Sequence, residues 1–205
     1  MTDEPSMDAD DLRAFYGEPS LLARNKVLPR LDHHCRDFIA RSPFLVLGTA
    51  DAQGNQDVSP RGDPPGFVKV MADGRLAIPD RPGNRRVDSL TNIALSPKVA
   101  LLFMVPGFDE TVRVNGRAEI TRDPALLEAL SVKGRPAVAA ILVEVDEAFF
   151  HCAKSLIRSA LWDPATRADR RQMPSLGQII ADQIDGVDPE AADEVVEESN
   201  RTRLY

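Results

Sequence analysis

The feature that most restricts this chain is a run of short apolar segments punctuated by turn residues between positions 43 and 151. Phe44-Leu45-Val46-Leu47-Gly48-Thr49 reads as a strand, Ala52-Gln53-Gly54-Asn55 as a turn and Gln56–Pro60 as a returning strand. Phe67–Met71 and Leu76–Pro79 flank Ala72-Asp73-Gly74-Arg75 and form a second hairpin. Val99–Val105 and Thr111–Ile120 form a third pair, and Ala137–Val145 is a further β run. Strands that follow one another with few helices between them predict a small antiparallel barrel. A parallel α/β sheet needs a crossover helix after each strand.

Helical spacing is confined to the margins of this run and a few insertions within it. Asp11–Tyr16 and Leu31–Ala40 precede the strands, and Arg41-Ser42-Pro43 ends the second of them. Arg86–Leu95 carries Val87, Leu90, Ile93 and Ala94 on one face. Asp123 is placed to cap a short helix opened by Pro124. Ala153–Trp162, Leu176–Gln183 and Pro189–Glu198 follow the last strand. The expected organisation is a helical arm over 1–42, a barrel domain over 43–162 and a helical extension over 163–205, packed on the barrel or on a second subunit.

Length and composition narrow the class. The 205 residues suit one domain with arms, and 43% hydrophobic with 28% charged residues describes a folded chain. No apolar stretch is long enough to span a bilayer, and Met1–Asp11 is acidic where a secretory signal would be basic and then apolar. Two cysteines do not make a disulfide framework. The expectation is a cytoplasmic protein. A net charge of −7 opposes general affinity for nucleic acid or anionic membrane. His33-His34-Cys35 lacks a fourth ligand at useful spacing, so no metal site is expected.

The charge is unevenly spread. Val58–Val87 holds six basic residues against three acids, whereas Asp182–Glu198 holds eight acids and no base. A basic concentration within an acidic chain points to a compact anion such as a phosphate; a scattered, solvated surface is the alternative. Three segments could carry chemistry. The first runs from Asp57 through Ser59 and Arg61 to Gly66, where rigid backbone beside an arginine suits a phosphate clamp, or else Arg61 makes a surface pair with Asp63. In the second, Asp80, Arg81, Asn84, Arg85 and Arg86 stand just before a helix. Cations are unfavourable at that end of the helix dipole unless an anion is bound there; otherwise the segment is a basic turn. The third is His151–Trp162, with Lys154 and Arg158 on one helical face, Ser155 and Ser159 on another, and the single tryptophan, Trp162, beyond them. An amphipathic helix burying Leu156, Ile157 and Leu161 explains that segment equally well.

Taken in order, these elements resemble the pyridoxamine-5′-phosphate-oxidase-like family of FMN-binding split barrels. The ordered set of a hairpin, Ser-Pro-Arg, a second hairpin, Asn-Arg-Arg at a helix start, Pro97–Phe103 and Thr111–Glu119 carries the resemblance. It covers roughly 43–162. The His151–Trp162 segment resembles a subgroup of that family whose activity is largely unassigned. The resemblance implies a mainly β fold with flanking helices, a six-stranded antiparallel split barrel, and a homodimer holding FMN at the shared interface. It implies that Asn84, Arg85 and Arg86 match the family's stretch that holds the FMN phosphate, that Arg61 matches its arginine just after the second core strand and that Lys69 matches a lysine on the third; Ser59, Asp80 and Arg81 are expected with them as cofactor-binding residues. Lys154, Ser155, Arg158 and Trp162 would reach the same flavin from the partner subunit. The activity implied is a flavin-dependent oxidoreductase acting on a small molecule or electron donor, with no side chain nominated as catalytic. A non-catalytic flavin carrier or redox sensor, and a haem- or F420-binding split barrel, are the other readings. True pyridoxamine-phosphate oxidases close with Arg-Leu-x-Pro after a tryptophan-rich segment. This chain closes with Asn200-Arg201-Thr202-Arg203-Leu204-Tyr205, so the resemblance does not extend to oxidation of vitamin B6.

Overall fold

The computed structural model describes residues 6–205. The first five residues of the expected N-terminal arm lie outside the described residues. The helices are α1 (Ala9–Tyr16), α2 (Leu21–Asn25), α3 (His33–Arg41), α4 (Asp88–Leu95), α5 (Pro124–Ala129), α6 (Lys154–Ser159), α7 (Leu176–Gln183) and α8 (Pro189–Thr202). The strands are β1 (Phe44–Ala50), β2 (Gln56–Gly62), β3 (Lys69–Val70), β4 (Leu76–Asp80), β5 (Lys98–Met104), β6 (Thr111–Thr121) and β7 (Ala139–His151).

All described pairings are antiparallel, in the order β2-β1-β5-β6-β7-β4-β3. The sheet has seven strands where six were expected. The seventh is the two-residue β3, whose ladder is limited to Lys69 opposite Ala77 and Val70 opposite Leu76. The three expected hairpins all form.

Alternation along the strands builds the core. Leu45, Leu47 and Thr49 of β1, Val99, Leu101 and Phe103 of β5, and Val112 and Val114 of β6 are buried. Leu76 and Ile78 of β4 and Ile141 and Val143 of β7 join them, and α3 adds Cys35, Phe38 and Ile39. The first half of β7 is buried on both faces. Its second face, with Ala140 and Leu142, meets Leu127 and Leu130 at α5 and Ala77 of β4. That is why Ala139–Val143 reads as an unbroken apolar run.

β7 extends to His151, beyond the expected end at Val145. The register against β6 shifts at Asn115/Gly116, so Asp146 has no partner opposite it. The strand resumes with Glu147 through His151. Helix α6 is correspondingly short and stops where Ala160 adopts a left-handed conformation, φ 48°.

The arms are attached lightly. α1 and α2 bury no residue, and the chain joins the sheet through a bridge from Leu28 to Ala148. α7 and α8 pack on each other, with the Gly177 N–H donating to Asp193 Oδ1 at 2.7 Å. The segment after α8 returns to the barrel, where Tyr205 Oη donates to Asp63 Oδ1 at 2.9 Å and Arg135 Nη1 donates to the Tyr205 carbonyl at 2.7 Å. Among the described residues no helix is long and apolar enough to cross a membrane.

Candidate functional site

The sheet is split between β2 at one end of its order and the β4–β3 hairpin at the other. Two ion pairs cross that split. Arg61 of β2 places Nη1 2.7 Å from Asp80 Oδ1 of β4, and Arg81 places Nε 2.8 Å from Asp63 Oδ2. The Arg61–Asp63 pair considered from sequence does not form; the two arginines exchange partners across the seam. Both pairs are largely withdrawn from water, and the Asp63 side chain is only 2% exposed. Arg81 Nη2 also donates to the Leu130 carbonyl at 2.8 Å, and the Tyr205 ring lies 5.9 Å from its guanidinium carbon. Arg81 Nη1 is buried with no hydrogen-bond partner.

Above this seam opens a cavity of about 690 Å³. Strand β2 supplies Asp57, Ser59 and Arg61, the alternate residues of one face. The end of β4 and the loop after it supply Asp80 through Val87, and the start of α4 supplies Asp88 and Ser89. Arg203, just after α8, also lines it. Five arginines thus face three aspartates, Asp57, Asp80 and Asp88.

The local backbone holds this loop in an unusual shape. Arg85 and Val87 both have positive φ, 63° and 53°. Val87 stands at the N-cap of α4 and offers no side-chain cap, so the helix begins with its first N–H groups open. A β-branched residue in this conformation is costly, and such strain collects at functional sites. Arg86 Nε donates to Asp88 Oδ2 at 2.7 Å, which holds the Arg86 guanidinium above its usual pKa and fully charged. Arg85 and Arg203 make no ion pair among the described residues.

Of the residues expected at the site, Ser59, Arg61, Asp80, Arg81, Asn84, Arg85 and Arg86 come together here. Lys69 does not; it is exposed on β3 and lines neither cavity. Ser155 lines a second cavity of about 420 Å³, with neighbours Lys154 and Arg158 on α6. Its wall is the outward face of β1 and β5, including Val46, Ala100, Leu102 and Met104, with Arg113, Asn115 and His151 at its polar side. Trp162 Nε1 donates to the Phe108 carbonyl at 2.8 Å. Within one chain Ser155 stands in a cavity separate from the arginine group, and Lys154, Arg158 and Trp162 line neither cavity. Asp57, Ser89 and Arg203 were not singled out from sequence; the Asp57-Ser59-Arg61 alternation was the available signal for the first.

Fold and site together define an antiparallel split-barrel protein with an arginine-rich cavity at its seam. The family model described as pyridoxamine 5′-phosphate oxidase matches residues 31–152, more than half of the chain. The chain belongs to that family. No curated protein matches it. Among solved structures, HupZ of Group A Streptococcus is 18% identical, aligning over 58% of this chain and 93% of its own, with a TM-score of 0.47. General Stress Protein 26 of Bacillus anthracis is 17% identical over 57% of this chain and 93% of its own, TM-score 0.43. An F420 reductase is 20% identical over 59% of this chain and 98% of its own, TM-score 0.43.

Proposed function

We propose that this protein is an FMN-binding flavoprotein and a flavin-dependent oxidoreductase, with the FMN phosphate seated in the arginine-rich cavity. The supporting observation is the uncapped start of α4 beneath the strained Arg85-Arg86-Val87 turn. The start of α4, with its open N–H groups and the positive end of the helix dipole, and the unpaired Arg85 line the same cavity. The buried, unpartnered Arg81 Nη1 is a further donor at the seam.

FMN, when bound, supplies the hydride or electron chemistry at its ring. Arg85, Arg86 and the α4 N–H groups neutralise the phosphate. Arg61 and Arg81, tied to Asp80 and Asp63, keep the cavity wall rigid. The ring would extend from this cavity toward a second copy of the chain. There Ser155, Lys154 and Arg158, with the apolar wall of Val46, Ala100 and Leu102, would cover it. The proposal is therefore a homodimer with two shared sites.

The Arg85→Glu variant tests this reading. The wild-type protein is expected to bind FMN, with flavin absorption bands after reconstitution and gel filtration, and the variant to emerge colourless. Equal flavin retention in the two would overturn the assignment of the cavity. Reduction of the bound flavin by NADH or NADPH, followed by reoxidation, separates an oxidoreductase from a carrier. A Soret band in place of flavin bands would overturn FMN as the cofactor.

A further inference from the structure

A chain of polar side chains runs along the floor of the cavity. Ser89 Oγ lies 3.0 Å from Asp57 Oδ2, and Ser59 Oγ lies 3.0 Å from Ser89 Oγ. Arg61 Nε donates to Ser59 Oγ at 3.3 Å, and Arg61 Nη1 donates to Asp80. A carboxylate only accepts, so the single Ser89 proton is committed to Asp57. The Ser89 oxygen must then take the Ser59 proton. Ser59 in turn accepts from Arg61. With carboxylates at both ends, every proton in the row has one direction.

The row joins the edge strand β2 to the first turn of α4, where Ser89 is buried. Asp57 stands beside the arginines without pairing to any of them among the described residues. Placed beneath an anion, its charge repels; its compensating effect must lie in what it holds.

We propose that Asp57 is a positioning residue of the anion site: through Ser89 and Ser59 it fixes the start of α4 and the Arg61 side chain in the shape that receives phosphate. This inference rests on the reading of the cavity as a phosphate site. Charge alone and positioning give opposite signs. If Asp57 acted only by its charge, removing it would tighten anion binding. If it positions, Asp57→Ala weakens binding, whereas Asp57→Asn, which still offers Ser89 an acceptor, does not.

The experiment titrates the full chain with FMN and, separately, with inorganic phosphate, following flavin fluorescence and heat. The wild-type chain should bind both. Asp57→Ala and Ser89→Ala should each weaken FMN binding about tenfold, and the double variant no further than either alone. Asp57→Asn should bind at least as well as wild type. Tighter binding by Asp57→Ala, or equal behaviour of the Ala and Asn variants, overturns the inference and leaves the cavity assignment standing. Failure of the wild-type chain to bind either probe removes the cavity assignment and this inference with it. Should Asp57→Ala not fold, weakening in Ser89→Ala with retention in Asp57→Asn supports the proposal, and any other order overturns it.

Discussion

Arg61 Nη1 lies 2.7 Å from Asp80 Oδ1 across the split of the barrel, joining a strand at one end of the sheet to a strand near the other. No backbone ladder connects β2 to β4, so side chains do the joining. Both partners are about four-fifths buried, at 19% and 18% exposure. Removing one of them strands the other away from water. Asp80→Ala should therefore lower stability by about 2 kcal/mol in urea unfolding, less than a fully buried pair because some water reaches it. The same substitution should leave Arg61 without its anchor, so FMN retention should fall with it. An unchanged urea midpoint would show that the pair does not hold the seam.

Gly116 has a different reason to be irreplaceable. It sits at the register shift between β6 and β7, and a Cβ there would lie 2.1 Å from the Glu144 carbonyl oxygen. That oxygen belongs to a paired strand and cannot swing aside as a flexible side chain would. Gly116→Ala should destabilise by about 3 kcal/mol, because two long strands must separate or shift to admit one methyl group. The urea midpoint measures this, and a loss below about 1 kcal/mol would show that the bulge relaxes freely.

A glycine inside a strand run, as at 116, signals a local irregularity but not the neighbour that crowds it, and the reason is general to this fold. Turns such as Ala52–Asn55 and Ala72–Arg75 announce hairpins because glycine and small polar residues fit only there. The pairing of β7 beyond Val145 was hidden because Asp146 and Glu147 interrupt its apolar run. The unpaired Asp146 re-aims the strand, and no local propensity signals it. In the site, Arg81, Arg85 and Arg86 were visible as a surplus of positive charge at a helix start. Asp57 opened a candidate segment without a role of its own, although its alternation with Ser59 and Arg61 puts the three on one face of β2; Ser89, inside the helical run of α4, carried no signal. Lys69 was grouped with the arginines through the family resemblance, as a lysine on the third strand, but β3 presents it outside the cavity.

The two cysteines should differ sharply in reactivity. Cys35 lies in the core, where burial and its contact with Asp32 push the thiol up to about 12. Thiolate is the reactive form, so Cys35 is shielded both by access and by protonation. Cys152 is exposed just before α6. A native sample treated with a thiol-specific reagent at pH 8 should consume one equivalent quickly, and a second only in denaturant. Rapid uptake of two equivalents by the native protein would contradict the packing of α3 against the sheet.

His151 makes the stability of the barrel depend on pH. It ends β7 beside the second cavity, with Nδ1 buried and unpartnered. Burial, then the charges of Arg113 and Lys26, lower its pKa below the usual 6.5. Arg113 and Lys26 are held near it by Phe149, whose ring lies 5.1 Å from the Arg113 guanidinium carbon and 5.6 Å from Lys26 Nζ. A depressed folded-state pKa means that the unfolded chain takes up the proton first. The contribution is complete above pH 6.5 and is lost as the pH falls through the lower folded value. Melting temperatures of the wild type should accordingly decline between pH 7 and 5, ahead of the carboxylate titrations. His151→Phe removes the titrating group and should flatten that limb while leaving the decline below pH 5 in place. Parallel profiles for the two proteins would mean that the imidazole is free to ionise, and that water or a side-chain rearrangement reaches Nδ1 at little cost.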